Sequence, residues 1–446
     1  MSHLLLSAIV LFSIVAIVSV KTEKSLFNPL TVFCAEWAVI ILLSATNKKL
    51  YISSSETYNY IIIGVVLFIV GYYFRTRIFR LRFIFSKTRH ERRQRYNVEH
   101  IPRYKLLKIL LLVCIVIYAK DVLLVISHVG LFQLGTLQKM LQSGALVISR
   151  SPVESFLVLF LVEPLAFSMP AIVSADIWVG RRDKTLIFLT ITMLLARMLS
   201  TANRSGFILF FIFIIISGGI ILNQNGRVLE RIVKRSRKYK FRIIGVGVIL
   251  VLAFAVMTVA RGSSLFRNIT MNFAIPPQMF EIWRGEVDKL DLYSYGSASL
   301  MGICFPITYV LGNILHMFYP STILQTYNLI NLTDTQWVWP GRKITANAYI
   351  SVFWFLYTDF RLPGIIIGMF IYGCIAASLY NKALIQKDAR HISLYCVIFF
   401  TILYSFVRMQ FSQSRVILGM LFIAFVAYQK KYSLKEEANK NENSFR

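Results

Sequence analysis

The stretch RTRIFRLRFIFSKTRHERRQRYNVEHIPRYK, residues 75–105, decides the fold, because it is densely basic and lies between two apolar runs. It carries Arg75, Arg77, Arg80, Arg82, Lys87, Arg89, Arg92, Arg93, Arg95, Arg103 and Lys105 against only Glu91 and Glu99. A second stretch, 223–242, carries Arg227, Arg231, Lys234, Arg235, Arg237, Lys238, Lys240 and Arg242 against Glu230. Lys and Arg near the ends of spanning helices stay cytoplasmic during insertion, whereas Asp and Glu carry little orienting weight. Both connections are therefore expected inside, and the sidedness of every other segment follows by counting spans outward from them.

The rest of the chain has the composition of a lipid-embedded protein. It is 57% hydrophobic with a mean hydropathy of +0.63, and its apolar runs approach the roughly 20 residues needed to cross a bilayer. The formal charge of +28 does not point to nucleic acid. The excess sits in short connections where anionic lipid head groups attract it, and no nucleic-acid-binding motif is present. The first run, Leu4 to Val20, lacks a basic leader and a small-residue cleavage pattern, so it reads as a retained helix. Cys34, Cys114, Cys374 and Cys396 fall inside apolar runs and Cys304 stands apart, which suggests neither a disulfide nor a metal site.

With the two basic connections held inside, the pattern predicts an all-α polytopic membrane protein of about eleven spans with an external N-terminus. Eight spans lie within 1–259, near 4–20, 28–45, 58–74, 106–126, 154–176, 185–201, 205–222 and 243–260. Three more lie within 362–428, near 362–381, 392–407 and 412–428, before a cytoplasmic tail, 429–446. Between the two sets lies a large extracytoplasmic segment, 260–361. Within it, 297–318 is apolar enough to enter the membrane but contains Pro306, Gly312, Asn313 and His316. Spanning alone it would break the parity, so it reads as an interfacial or re-entrant helix.

Ionisable groups at membrane depth mark cavities or partners. Arg197 lies near the outer end of the sixth span, and Arg204 follows seven residues later in the turn Thr201-Ala202-Asn203-Arg204-Ser205-Gly206. Arg408 and Arg415 repeat that spacing at the outer end of the last hairpin, and Arg261 and Arg342 lie in the large segment. A guanidinium stays charged and binds phosphate through two parallel bonds, so an outward cluster points to an anionic ligand such as pyrophosphate. The bland alternative is that single arginines snorkel to head groups or pair with carboxylates.

Asp359 is a candidate general base or an orienter of Arg361, and His316, the only histidine between Ala260 and Leu362, is a second candidate base. For Glu36, Asp121, Glu163 and Asp176 structural roles are expected, with Lys120, Arg181 or Arg182 as partners. Glu281, Glu286, Asp288 and Asp291 read as a solvated acidic stretch. Trp339, in Gln336-Trp337-Val338-Trp339-Pro340-Gly341-Arg342, suits either sugar stacking or a membrane interface. No phosphate-binding loop, HExxH zinc site or DxD carboxylate pair is present, so no metal or other cofactor is expected. An outward-facing enzyme without nucleotide needs a pre-activated substrate.

The chain resembles the O-antigen polymerases, the oligosaccharide repeat-unit polymerases of bacterial surface-polysaccharide assembly. The similarity rests on Phe27-Asn28-Pro29-Leu30-Thr31, Asn203-Arg204-Ser205, Pro306 to Gly312, and Thr345-Ala346-Asn347-Ala348-Tyr349 continuing into Tyr357-Thr358-Asp359-Phe360-Arg361-Leu362-Pro363-Gly364. It departs where relatives often read Asp-aromatic-Gly, since here Arg361 follows Phe360. The resemblance implies a GT-C-like glycosyltransferase in the bacterial inner membrane. It would join undecaprenyl-pyrophosphate-linked oligosaccharides at the periplasmic face, working with a chain-length co-polymerase. Asn347 and Tyr349 become substrate-binding candidates on the same ground. A lipid-linked oligosaccharide flippase and an O-antigen ligase are the alternatives.

Overall fold

The computed structural model describes residues 3–90, 96–129, 140, 150–201, 203–223, 265–317 and 320–434. The second basic connection, the expected span at 243–260 and Arg261 lie outside these residues. The described chain is all-α apart from two small two-stranded sheets. Among the described residues, seven helices are long and apolar enough to cross a bilayer. They are α1 (His3–Glu23), α2 (Pro29–Thr46), α3 (Ser55–His90), α4 (Tyr104–Val129), α5 (Pro152–Val179), α6 (Lys184–Thr201) and, late in the chain, α12 (Ser351–Gln386). Shorter apolar helices are α7 (Ser205–Asn223), α10 (Met301–Tyr309), α13 (Ala389–Leu403) and α14 (Ser414–Leu421). The architecture is that of a multi-pass membrane protein.

Local chemistry explains the joints. Asn28 caps α2 by accepting from the Thr31 N–H at 2.7 Å, with Pro29 at the first helical position where its missing donor costs nothing. The same side chain donates to the Ser25 carbonyl at 2.9 Å and the Thr31 hydroxyl at 2.7 Å, locking the α1–α2 hairpin. At the far end of the chain, Asp388 caps α13 through the His391 N–H at 2.9 Å.

Helices α3 and α12 pack along each other through glycines. A Cβ at Gly71 would lie 2.1 Å from the Phe370 carbonyl oxygen, and one at Gly373 would lie 2.3 Å from that of Phe68. Small residues let backbones approach this closely where lipid supplies no hydrophobic drive. Helix α12 begins eleven residues before the expected span at 362 and is broken at Phe360 (φ −148°, ψ 26°) and Arg361 (φ 57°, ψ −141°). Pro363 is the cause: it lacks an N–H, and its ring crowds the preceding turn.

The two ends of the bundle differ. One end is basic and carries β1 (Tyr96–Pro102), which is antiparallel to β4 (Tyr428–Leu434). The expected basic loop is thus largely ordered, with α3 running on to His90 before the strand begins, and the start of the expected tail is a strand. The other end carries α8 (Leu265–Ala274), α9 (Pro276–Lys289), α10, α11 (Ser321–Thr335) and the hairpin β2 (Val338–Gly341) with β3 (Ile344–Ala346). Helix α10 continues as a π-turn, Val310–Ile314, and is too short to span. Its Gly302 sits against the carbonyls of Phe411 and Gln413.

Gly71→Ala is expected to cost about 1–3 kcal/mol by overpacking and so lower the thermal midpoint of the purified protein, whereas Gly285→Ala, inside α9 with nothing within 4 Å, is expected to raise it slightly through the better helix propensity of alanine. Equal midpoints for the two variants would contradict the packing described.

Candidate functional site

At the end opposite β1 and β4, two cavities of about 270 Å³ and 350 Å³ share Asp334, Arg408, Gln413 and Arg415 as a common wall. The first also takes in Arg197, Ser205, Gly206, Tyr404 and Gln410, and the second takes in Glu163, Phe305, Tyr327 and Ser412. Three of the sequence-flagged arginines, Arg197, Arg408 and Arg415, therefore converge from α6, the α13–α14 connection and α14.

Each is held differently. Arg197 is buried on α6 and makes a two-pronged pair with Glu163, at 3.2 Å from Nε and 2.8 Å from Nη2. Glu163 follows a π-turn in α5 at Val158–Val162, the kind of one-residue bulge that re-aims a side chain at functional sites. Tyr118 donates to the same carboxylate at 2.8 Å. Arg408 contacts Asp334 of α11. Burial, and then the charge of Arg415, push its guanidinium down to about 10, so Arg408 stays cationic at neutral pH, and Asp334 favours that form. Arg415 has no ion-pair partner among the described residues, and its Nε is buried without an acceptor.

The frame behind these arginines is built from hydrogen bonds. Asn347 donates to the Asp334 carbonyl at 2.6 Å, and the Ala348 N–H donates to that of Thr333 at 2.9 Å, fixing the end of α11. Ser351 N–H donates to Val407 O at 3.2 Å and Val352 N–H to Ser405 O at 2.7 Å, so the start of α12 anchors the Arg408 turn. The Ser405 hydroxyl receives from Trp37 at 3.1 Å and donates to Glu36 at 3.0 Å, tying that turn to α2. The Tyr349 ring stacks on Phe406 at 6.1 Å. Asn347 and Tyr349 thus support the site from behind.

The other flagged residues are placed elsewhere. Arg204 precedes α7, with Ser205 and Gly206 rather than Arg204 lining the cavity. Arg342 lines a separate cavity of about 1020 Å³ with Lys48, Tyr51 and Tyr58. Trp339 is exposed on β2 and His316 is exposed beyond α10. Asp359 is buried, and its carboxylate accepts from the Ser294 hydroxyl at 2.5 Å and the N–H groups of Ala298 at 2.9 Å and Ser299 at 3.2 Å.

The carboxylate partners differ from expectation. Asp121 pairs with Arg150 at 2.5 Å, and Lys120 pairs with Glu154 instead. Asp176 receives from Tyr104 at 2.5 Å and from the Asp183 N–H at 3.1 Å. The acidic stretch is not merely solvated: Glu281 accepts from the Ser54 N–H at 3.1 Å, and Asp288 faces Arg361 at 3.4 Å. Sequence reasoning missed Glu163 and Asp334 as site residues. The legible signal for Glu163 was depth, since it and Arg197 lie at similar distances from the turn joining α5 to α6.

Three guanidiniums against two carboxylates leave net positive charge in a confined space, which suits an anion with several oxygens and disfavours a divalent cation. Among the described residues one group has the make-up of a metal site, His100, Asp388 and His391, and it lies at the opposite, basic end. There the Arg390 guanidinium sits 3.2 Å from His100 Nε2, and both imidazoles face the Asp388 carboxylate at 2.5 Å. Comparison with protein-family models, curated proteins and solved structures gives no match.

Glu163→Gln leaves Arg197 without its counter-charge and is expected to cost about 3–5 kcal/mol, as for breaking a buried pair. The check is the thermal midpoint against Lys289→Ala, which breaks an exposed pair with Glu286 worth about 0.5 kcal/mol. Similar midpoints would show that the Glu163–Arg197 pair is not holding the cavity wall.

Proposed function

We propose that the chain is a glycosyltransferase that polymerises undecaprenyl-pyrophosphate-linked oligosaccharide repeat units. It acts at the outer face of the bacterial inner membrane, in the manner of the O-antigen polymerases it resembles. The observation that carries this reading is the convergence of Arg197, Arg408 and Arg415 on one confined site, where Arg415 makes no ion pair among the described residues and its Nε is buried without an acceptor.

The topology supports it. Helices α7, α13 and α14 fall on three of the shorter spans that the sequence predicts. Basic residues Arg103, Lys105 and Lys108 follow β1, and Arg181 lies over the Tyr104 ring, a grouping that supports an outward orientation of the arginine cavity.

In this mechanism a hydroxyl oxygen of the incoming lipid-linked unit attacks the anomeric carbon of the growing chain. The bond from that carbon to the phosphate oxygen breaks, and its electron pair leaves on undecaprenyl pyrophosphate. Charge grows on the pyrophosphate, so donors fixed in advance stabilise the transition state more than the ground state. Arg415 and Arg408 take that role, and Arg197, already paired with Glu163, sets the third wall. The hydroxyl proton passes to solvent, because both cavity carboxylates are committed to arginines and His316 lines neither cavity. Asp359 acts by position, through the loop it holds.

Deleting the gene is expected to leave lipopolysaccharide core bearing a single repeat, with the ladder restored by the intact gene. Arg408→Ala with Arg415→Ala is expected to abolish the ladder while the protein stays in the membrane. Wild-type chain lengths in that variant would contradict the assignment. Loss of even the single repeat on deletion would point instead to a flippase or ligase.

A further inference from the structure

A second constructed surface lies apart from the arginine cavity, on the same outer end. Tyr293, Tyr295 and Phe360 are 39%, 71% and 46% exposed, with ring centroids 6.3 Å apart for the tyrosines and 6.0 Å for Tyr295 and Phe360. The backbone beneath them is unusual. Asp291, Tyr295 and Arg361 all take positive φ, at 45°, 51° and 57°, a conformation that bulky residues avoid and that persists only when its surroundings enforce it.

The enforcement is visible. Ser294 N–H donates to Thr358 O at 3.0 Å and Tyr295 N–H to Asp359 O at 3.3 Å, while the buried Asp359 carboxylate gathers Ser294, Ala298 and Ser299. Arg361 lies over the Tyr293 ring at 4.6 Å and the Tyr357 ring at 5.1 Å, and pairs with Asp288 at 3.4 Å and Asp291 at 3.7 Å. Buried groups therefore hold exposed rings in a fixed array, which is wasted on solvent but useful to a ligand.

We propose that Tyr293, Tyr295 and Phe360 form a saccharide-stacking platform, with Asp288 and Asp291 accepting hydrogen bonds from sugar hydroxyls. The class of ligand rests on the polymerase reading and extends it with a subsite for the sugar chain, distinct from the pyrophosphate cavity. An aromatic face is the negative side of a quadrupole and attracts the positive C–H bonds of a pyranose ring. The carboxylates weigh against the competing role of a membrane anchor: Asp291 has an 89% exposed side chain and Asp288 a 44% exposed one, and burying such groups among lipid is costly.

The test uses the purified full chain in lipid nanodiscs and water-soluble oligosaccharides released by mild acid from the host's own surface polysaccharide. Saturation-transfer NMR should show transfer to sugar ring protons in the wild type and in the Arg408→Ala, Arg415→Ala variant. In Tyr295→Ala with Phe360→Ala, affinity should fall about tenfold, with the thermal midpoint near that of the wild type. Unchanged transfer in the ring variant, or none in the wild type, overturns the platform. So does a lower midpoint in nanodiscs with unchanged transfer, the mark of an interfacial anchor only. In the deletion host the ring variant should restore short chains; wild-type lengths would sink the platform alone, whereas a full ladder in the deletion itself would sink the polymerase reading.

Discussion

Arginine cannot shed its charge, and a guanidinium held in a low-dielectric cavity has to be met by carboxylates, dipoles or a ligand. That constraint organises the end of the protein that holds the arginine cavity. Glu163 leaves a π-turn to reach Arg197, and Asp334 is brought to Arg408 by a helix whose end is pinned by Asn347. Arg415 makes no ion pair among the described residues, and none of them accepts from its buried Nε. A cation kept in that state is costly unless an anion arrives, and a lipid pyrophosphate, the proposed ligand, would supply both the charge and the membrane confinement.

The second organising feature is the break in α12. A straight helix from Ser351 to Gln386 would carry Asp359 away from the segment 294–299. Because the backbone turns at Phe360 and Arg361, Asp359 faces inward onto the loop 294–299 and Arg361 faces the acidic end of α9. The segment before the break also anchors the turn that carries Arg408, through Ser351 and Val352. One kink thus connects the frame of the arginine cavity to the aromatic surface beside it.

Much of this was legible beforehand, and the rest was not for physical reasons. Apolar run length and flanking charge are local properties, so α1 to α7 lie close to where hydropathy places them, and Asn28-Pro29 announces a capped helix start. The arginines were visible as misfits on the outer side. Their partners were not, because Glu163 with Arg197, and Asp334 with Arg408, are contacts across separate segments that spacing along one chain does not encode. Asp359 looked like a base because it stands beside an arginine in sequence; in space its donors come from 294–299. The pairing of β1 with β4 joins residues more than three hundred positions apart, and neither strand has a pattern that separates it from a charged connection.

The most direct measurement is reconstitution of the purified protein in lipid nanodiscs with polyprenyl-pyrophosphate-linked repeat units, in buffer free of nucleotide and containing a metal chelator. The account predicts a ladder of lengthening glycans with one polyprenyl pyrophosphate released for each linkage formed. Failure to release pyrophosphate lipid while the repeat units move across the bilayer would contradict it.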